Sequence, residues 1–236
     1  MPEKDTFIDK LGRVVTKVGV AFMTNVLFLI CCIPVVTIGQ AWCALLTSVR
    51  YQIRGDSWWD GFKYGFKTRF WRGTLVWCIM LPVDILLLWH AWSHILNFTE
   101  NGVISPVGIF GILVFLMMLM LTAAFLTLNV YIPTKVGQWI NNATSMVFKA
   151  PLQLMITVVL VWLPVVLIPI FPGFVYYFLM VFLVVYYTLV AFGSTLMLKR
   201  VLMDYLVAAR ADGTLLVEEG RQRDPEESDG EENEEE

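Results

Sequence analysis

The seventeen Lys and Arg residues of this 236-residue chain fall into four patches, and the long apolar stretches between them contain none. Residues 1–17 hold four, 50–72 hold six, 133–150 hold two and 199–236 hold five. Cations are costly at the centre of a bilayer, about 2.5–3.5 kcal/mol each on insertion scales, and cytoplasmic loops carry the excess of Lys and Arg. The pattern therefore predicts a chain that threads a membrane several times and keeps all four patches on its inner side.

Composition agrees. The hydrophobic fraction is 58% and the mean hydropathy +0.68, against the ~45–50% apolar content of ordinary soluble domains. A membrane β-barrel would need alternating segments of ~10 residues, and the apolar runs here are continuous. The expected fold class is all-α, a polytopic helical membrane protein. The long apolar segments are 18–38, 73–92, 104–132, 151–171 and 174–198. Five crossings would put the ends on opposite sides, with thirteen cations inside and four outside. If 18–53 is instead a hairpin turning at Pro34, Thr37 and Gly39, there are six membrane helices, both termini are inside, and the count becomes seventeen to none. The hairpin is preferred. Its second arm, Gln40–Ile53, makes only ~21 Å of helix at 1.5 Å per residue. That is short of the ~30 Å hydrocarbon core, so this arm is short or re-entrant.

Residues 1–17 read as an amphipathic cytoplasmic segment, with Phe7, Leu11, Val14 and Val15 at helical spacing and lysines meeting anionic headgroups. The membrane domain spans 18–198 and includes an inner amphipathic loop over 54–72. A juxtamembrane segment, 199–217, follows. From Glu218 to Glu236 there are eleven acidic and two basic residues, an acidic tail expected to be disordered. The first apolar segment exceeds a cleavable h-region of ~7–15 residues and no A-x-A-like site follows it, so it is expected to remain as an anchor. The connection 93–103 and Pro172-Gly173 are expected outer turns. Trp58, Trp59, Trp71 and Trp139 mark inner ends and Trp89, Trp92, Tyr176 and Tyr177 outer ends, as interfacial belts do.

Two features invite a functional reading. In the loop 57–72, Phe62, Phe66 and Phe70 are spaced by four and share a helical face with Trp58 or Trp59, while Lys63 and Lys67 form an adjacent stripe. This predicts an interfacial helix with its aromatic side in the acyl boundary, or a docking surface for a partner. Asp84 is the one carboxylate in a predicted span, ~16 Å beyond Gly73; intramembrane acids mark functional sites by default. Its candidate partners are Asn25, Asn129, Tyr186 and Tyr187, which leaves either a structural hydrogen-bonded acid or a site for a cation, proton or polar solute. His90 and His94 share a face but have no third ligand at helical spacing, so packing is expected and no metal or cofactor is assigned. Cys31, Cys32, Cys43 and Cys78 lie in apolar surroundings without ligand spacing. Asn97-Phe98-Thr99 matches a glycosylation acceptor pattern. Gly108 and Gly111 allow close helix approach. Phe66-Lys67 and Phe148-Lys149 precede Leu81-Pro82 and Leu163-Pro164 at equal separation, a short internal echo. No phosphate-cradling loop, nucleophile elbow or H-E-x-x-H is present, and an enzyme is not expected. The expected partners are the lipid bilayer and a membrane transport complex or cytoplasmic protein, with no nucleic acid.

The run NVLFLICCIPVVTIGQAWCALLTSVRYQIRGD (Asn25–Asp56) and the loop WWDGFKYGFKTRFWRGTLVW (Trp58–Trp77) resemble the YesL-like family of bacterial membrane proteins. The resemblance rests on the break formed by Cys31, Pro34, Thr37, Ile38 and Gly39, on Arg54-Gly55-Asp56, on Phe62, Lys63, Phe66 and Lys67, and on Asp84. Arg69 stands where relatives often have Asn. The resemblance implies a bacterial plasma-membrane protein without established activity, associated with carbohydrate-uptake gene clusters; the patterned inner loop and nearly uncharged membrane interior lead to the expectation of a non-enzymatic accessory or regulatory component. A small transporter built around Asp84 is the alternative.

Overall fold

A computed structural model describes residues 7–68, 70–101, 106–131, 136–170 and 185–211, which are helical apart from short connections. The helices are α1 (Phe7–Cys32), α2 (Ile38–Arg54), α3 (Trp58–Lys67), α4 (Phe70–Asn101), α5 (Pro106–Tyr131), α6 (Val136–Lys149), α7 (Pro151–Ile170) and α8 (Tyr187–Ala211). Among the described residues, three segments are long and apolar enough to cross a membrane: Val15–Cys32, Phe70–His94 and Pro106–Tyr131. A fourth exists if α6 and α7, bent by 96° around Ala150, count as one. Outward faces carry large apolar side chains such as Leu86, Trp89, Phe110 and Ile33. So much exposed apolar surface is the mark of contact with lipid rather than water. The chain is an all-helical membrane protein.

Several boundaries differ from the sequence expectation. The amphipathic segment of the N-terminus and the first apolar stretch are one continuous helix from Phe7, because nothing between Thr16 and Gly19 breaks helical geometry. The expected outer loop 93–103 is largely helix, since α4 runs to Asn101 and takes Asn97, Phe98 and Thr99 into it. The inner connection 133–150 contains α6, and α8 continues beyond Leu198 into the expected juxtamembrane segment. Pro172-Gly173, Tyr176, Tyr177 and the acidic tail lie outside the described residues.

The break at Pro34 has a definite cause. A residue before proline is pushed out of the helical region, so α1 stops at Cys32 and a short 3₁₀ turn, Val35–Thr37, follows. Thr37 Oγ1 donates across the break to Cys31 O at 2.6 Å, within reach also of Pro34 O at 2.8 Å, satisfying a carbonyl that the helix end leaves free. Helix α2 then returns beside α1, with Phe28 on Trp42 and Gln52 Nε2 donating to Thr24 Oγ1 at 3.4 Å. Every residue from Gly39 to Val49 is buried. This polar, 17-residue helix is thus the centre of the molecule, wrapped by α1, α3, α4, α5 and α8.

At its other end α2 closes with a left-handed glycine. Gly55 has φ +90°; its N–H bonds Gln52 O at 3.2 Å and the Asp56 N–H bonds Tyr51 O at 3.0 Å. That is the paired-bond cap for which glycine, lacking a Cβ, is suited. Ser57 starts α3, accepting from the Asp60 N–H at 3.5 Å, and α3 runs back antiparallel along α2.

Candidate functional site

The α2–α3 contact is a glycine seam. A Cβ on Gly61 would stand 2.8 Å from Tyr51 Cβ and 3.1 Å from Ser48 Cα; on Gly65, 2.6 Å from Thr47 Cβ and 2.9 Å from Ala44 Cα. Small residues spaced by four let two backbones approach this closely. Ser48 Oγ adds a bond to Trp58 O at 2.9 Å. The aromatic ladder exists, with Phe62 stacked on Phe66 at 6.3 Å and Phe70 tilted against Phe66 at 5.4 Å, but its place differs from the expectation. Phe62 is 3% exposed and belongs to the core around α2, with Phe66 half-buried beside it. Because the glycines lie on this same side, the phenylalanines are drawn in against α2 rather than into the acyl boundary.

What α3 presents outward is the row Trp59, Lys63, Lys67, again spaced by four. Trp59 is 44% exposed and the Lys63 side chain 54%; Lys67 is exposed too. Lys63 Nζ sits 5.1 Å from the centre of the Trp59 ring and 3.2 Å from Asp60 Oδ1. Bonds from Lys63 and then Ser57 hold the Asp60 carboxyl below the usual carboxylate range. Trp58 is half-buried, and Phe70 leads into Trp71, 79% exposed at the start of α4.

Gln40 binds this hairpin to α4. Its Nε2 donates to Gly65 O at 2.7 Å, Phe66 O at 3.1 Å and Thr68 O at 3.4 Å. These are carbonyls at the C-terminal end of α3, where helices leave acceptors unmet. Its Oε1 fills the space that a Cβ on Gly73 would take, with Asn129 Nδ2 alongside. Asn129 Nδ2 also lies 3.8 Å from Cys43 Sγ. Trp77 of α4 rests on Gly39 and donates Nε1–H to Val35 O at 2.8 Å. The first two turns of α4 therefore stand beside the Pro34–Gly39 break. Neither Gln40 nor the glycine seam was singled out from the sequence. The available signals were a lone amide in an apolar run and G-x-x-x-G in the loop.

The candidate polar set does not form one cluster. Asp84 is buried on α4, but its oxygen Oδ2 meets Thr122 Oγ1 of α5 at 3.3 Å. Asn129 sits two turns away at the Gln40 node. Tyr186 donates to Leu160 O at 2.6 Å, and Asn25 is buried on α1 next to Thr24, whose hydroxyl meets Gln52 of α2. Tyr187 lies 5.2 Å from the Phe28 ring. Asp84 thus meets α5 and Tyr186 meets α7, which composition cannot reveal. Asp84 Oδ1 has no hydrogen-bond partner among the described residues. The Thr122 hydroxyl has one proton but two acceptors in range, Asp84 Oδ2 and Met118 O at 3.0 Å. Both contacts are met together when the Asp84 carboxyl donates to Thr122 and Thr122 donates to Met118. His90 and His94 stack edge-on at 4.7 Å and cover Gly111 and Gly108 of α5, a packing role. Among the described residues no group of three potential metal ligands occurs.

Two arginines lie over aromatic rings at helix ends. Arg50 lies 5.4 Å over the Tyr131 ring and Arg72 lies 5.0 Å over Trp139, while Tyr131 donates to Thr195 Oγ1 at 2.9 Å, one turn before Lys199. Lys17 falls on the side of Arg50, because Thr24 of α1 pairs with Gln52 near the end of α2. Arg50 thus lies at the end of α5 near Thr195 of α8, whereas Arg72 stands at the start of α4, next to Gly73 and Gln40.

A family model described as "Protein of unknown function, DUF624" matches residues 21–91. The matched region runs from within α1 through the break, the α2–α3 hairpin and most of α4, the segment that holds the glycine seam, Gln40 and Asp84. No curated protein and no solved structure matches the chain.

Proposed function

We propose that this protein is a non-enzymatic accessory or regulatory component of the cell membrane that engages a membrane transport complex through the outward row Trp59, Lys63 and Lys67. The observation that carries the reading is the division of α3. One face is locked to α2 by glycines without room for a Cβ, and the other offers a tryptophan and two lysines held on a rigid support. Tryptophan is enriched at interaction hot spots, and charge adds orientation and on-rate. The resemblance to YesL-like proteins points to carbohydrate uptake as the process served.

The proposed topology has both termini inside, six membrane helices, and a re-entrant α1–α2 hairpin. Support comes from the registry of α4: Trp77, which touches the break, lies only ~10 Å along the helix from Phe70. The turn therefore sits about a third of a ~30 Å core from the inner surface. Thiol labelling from outside should modify a cysteine at Asn97 and spare one at Val36; efficient outside labelling at Val36 would reject the re-entrant arm. For the docking face, a photocrosslinker at Trp59 in living cells should capture a subunit of a carbohydrate-uptake transporter, and Lys63→Glu/Lys67→Glu should abolish the adduct. Lipid-only adducts, or an adduct indifferent to the charge reversal, overturn the reading.

A second reading, a small transporter, is favoured by the buried Asp84 carboxyl with one unpartnered oxygen beside Thr122. Reconstituted vesicles should then show solute or proton flux that Asp84→Asn removes. Equal flux in both rejects it.

A further inference from the structure

The strongest charge contrast in the molecule lies within the chain itself. Residues Glu218–Glu236 carry a net −9, with eleven acidic and two basic residues, and residues 1–217 a net +6, with fifteen basic and nine acidic. Helix α8 passes Phe28 at Tyr187, bonds Tyr131 through Thr195, packs Leu198 and Leu202 against Met146 and Leu154, and proceeds to Ala211. It thus runs past the end of α5, where Arg50 lies over Tyr131, and the acidic segment follows it in the sequence. At ~3.3–3.6 Å per residue, the seventeen residues from Ala211 to Ser228 reach as far as ~55–60 Å. That exceeds the ~15 Å length of α3.

We propose that the acidic segment Glu218–Glu236 folds back onto the basic face formed by Arg54, Lys63 and Lys67 and competes there with external anionic partners. The face suits such an occupant. Its cations are exposed: Lys63 and Lys67 stand one turn apart on α3, which the glycine seam fixes, and Arg54 is the last residue of α2, at the turn of the hairpin. Lys63 has Asp60 as a local partner at 3.2 Å, so part of its charge is already met; Arg54 and Lys67 are exposed at either side. A tethered segment acts at an effective concentration in the millimolar range, so even a weak ionic contact would be populated. The regulatory consequence rests on the docking role proposed for this face; the contact itself does not.

The test uses the full chain in zwitterionic lipid nanodiscs, with a photoreactive residue at Asp56, an exposed site beside Arg54 whose replacement removes no cation. At 0.15 M salt the crosslink should map to the peptide containing residues 224–236. It should fall several-fold at 1 M salt, where the Debye length drops from ~8 Å to ~3 Å, and vanish in Lys63→Glu/Lys67→Glu. Mixing with isotope-labelled copies should show the adduct within one chain. Adducts with lipid alone, with the acidic segment of another copy, or insensitive to salt overturn the proposal. As a second measurement, a labelled peptide of residues 218–236 should bind the chain truncated after Val217 at least tenfold more tightly than the full chain; equal binding overturns it as well. The transporter adduct from Trp59 is a separate readout, so either idea can fail alone.

Discussion

Replacing Gly65 by alanine should destabilise the protein, although alanine is the better helix former. The added Cβ would lie 2.6 Å from both Cβ and Oγ1 of Thr47 and 2.9 Å from Ala44 Cα, against an optimum of about 3.5–4.0 Å between carbons. Ala44 offers backbone, not a movable side-chain end, so α3 must move away from α2 by roughly an ångström. That shift stretches the bond from Gln40 Nε2 to Gly65 O, now 2.7 Å. Overpacking costs about 1–3 kcal/mol and a weakened hydrogen bond about 0.5–1.5 kcal/mol, while the helix propensity gained is about 0.8–1.0 kcal/mol. The net is a loss of about 1–3 kcal/mol. Gly19→Ala is the matched control. A Cβ there meets nothing within 4 Å, so this variant should gain up to about 1 kcal/mol from the same propensity term. Far-UV circular dichroism along an SDS titration in mixed micelles reads both variants against the parent. If Gly65→Ala is stabilised alongside Gly19→Ala, the seam is looser than described and the reasoning fails.

Gln40→Leu keeps the volume but removes the donor shared by Gly65 O, Phe66 O and Thr68 O, and should cost about 1–3 kcal/mol in the same titration, with Gln52→Leu, whose two bonds are 3.4 Å long, costing less. Tyr131→Phe removes the buried bond to Thr195 and should cost about 1 kcal/mol. Asp60 should titrate below the ordinary carboxylate value of about 3.9 when followed by carboxyl-carbon NMR, and Lys63→Ala should bring the midpoint back up. Since the folded-state value is the lower one, the pairing contributes fully above the ordinary value and is lost as pH falls through the depressed one.

The sequence was most informative where one physical cost dominates. Cations avoid hydrocarbon, so the four patches marked the ends of apolar helices, and Arg50 over Tyr131 and Arg72 over Trp139 lie at such helix ends. Pro34 was legible as a break because proline's effect on its neighbour is local. The loop 57–72 was legible as an amphipathic helix, but its sidedness was not. Phe62 and Trp59 have similar hydrophobicity, and only the absent Cβ atoms of Gly61 and Gly65 decide which of them faces α2. The contact of Asp84 with Thr122 was not legible for a related reason. Depth along a helix can be counted from sequence, whereas the direction of a side chain depends on which helices become neighbours. Thr122, the residue that meets Asp84, is one of several threonines in apolar runs and carries no pattern of its own.

Counting charges has a further blind spot, and it bears on α1 and α2. A hairpin that crosses the bilayer and one that turns back partway both return the chain to its starting side, so seventeen cations on one side fit either. The distinction lies in what surrounds the second arm. A helix carrying Gln40, Thr47, Ser48, Gln52 and two arginines is too polar to face lipid and, at ~25 Å, too short to cross comfortably. It becomes tolerable only when neighbours cover it on every side and its amides find partners within protein. The uninterrupted burial from Gly39 to Val49 meets that requirement. The polarity that hides α2 from a hydropathy profile is therefore the property that puts it at the centre of the fold, and it leaves α3, riding on it, as the surface most open to a partner.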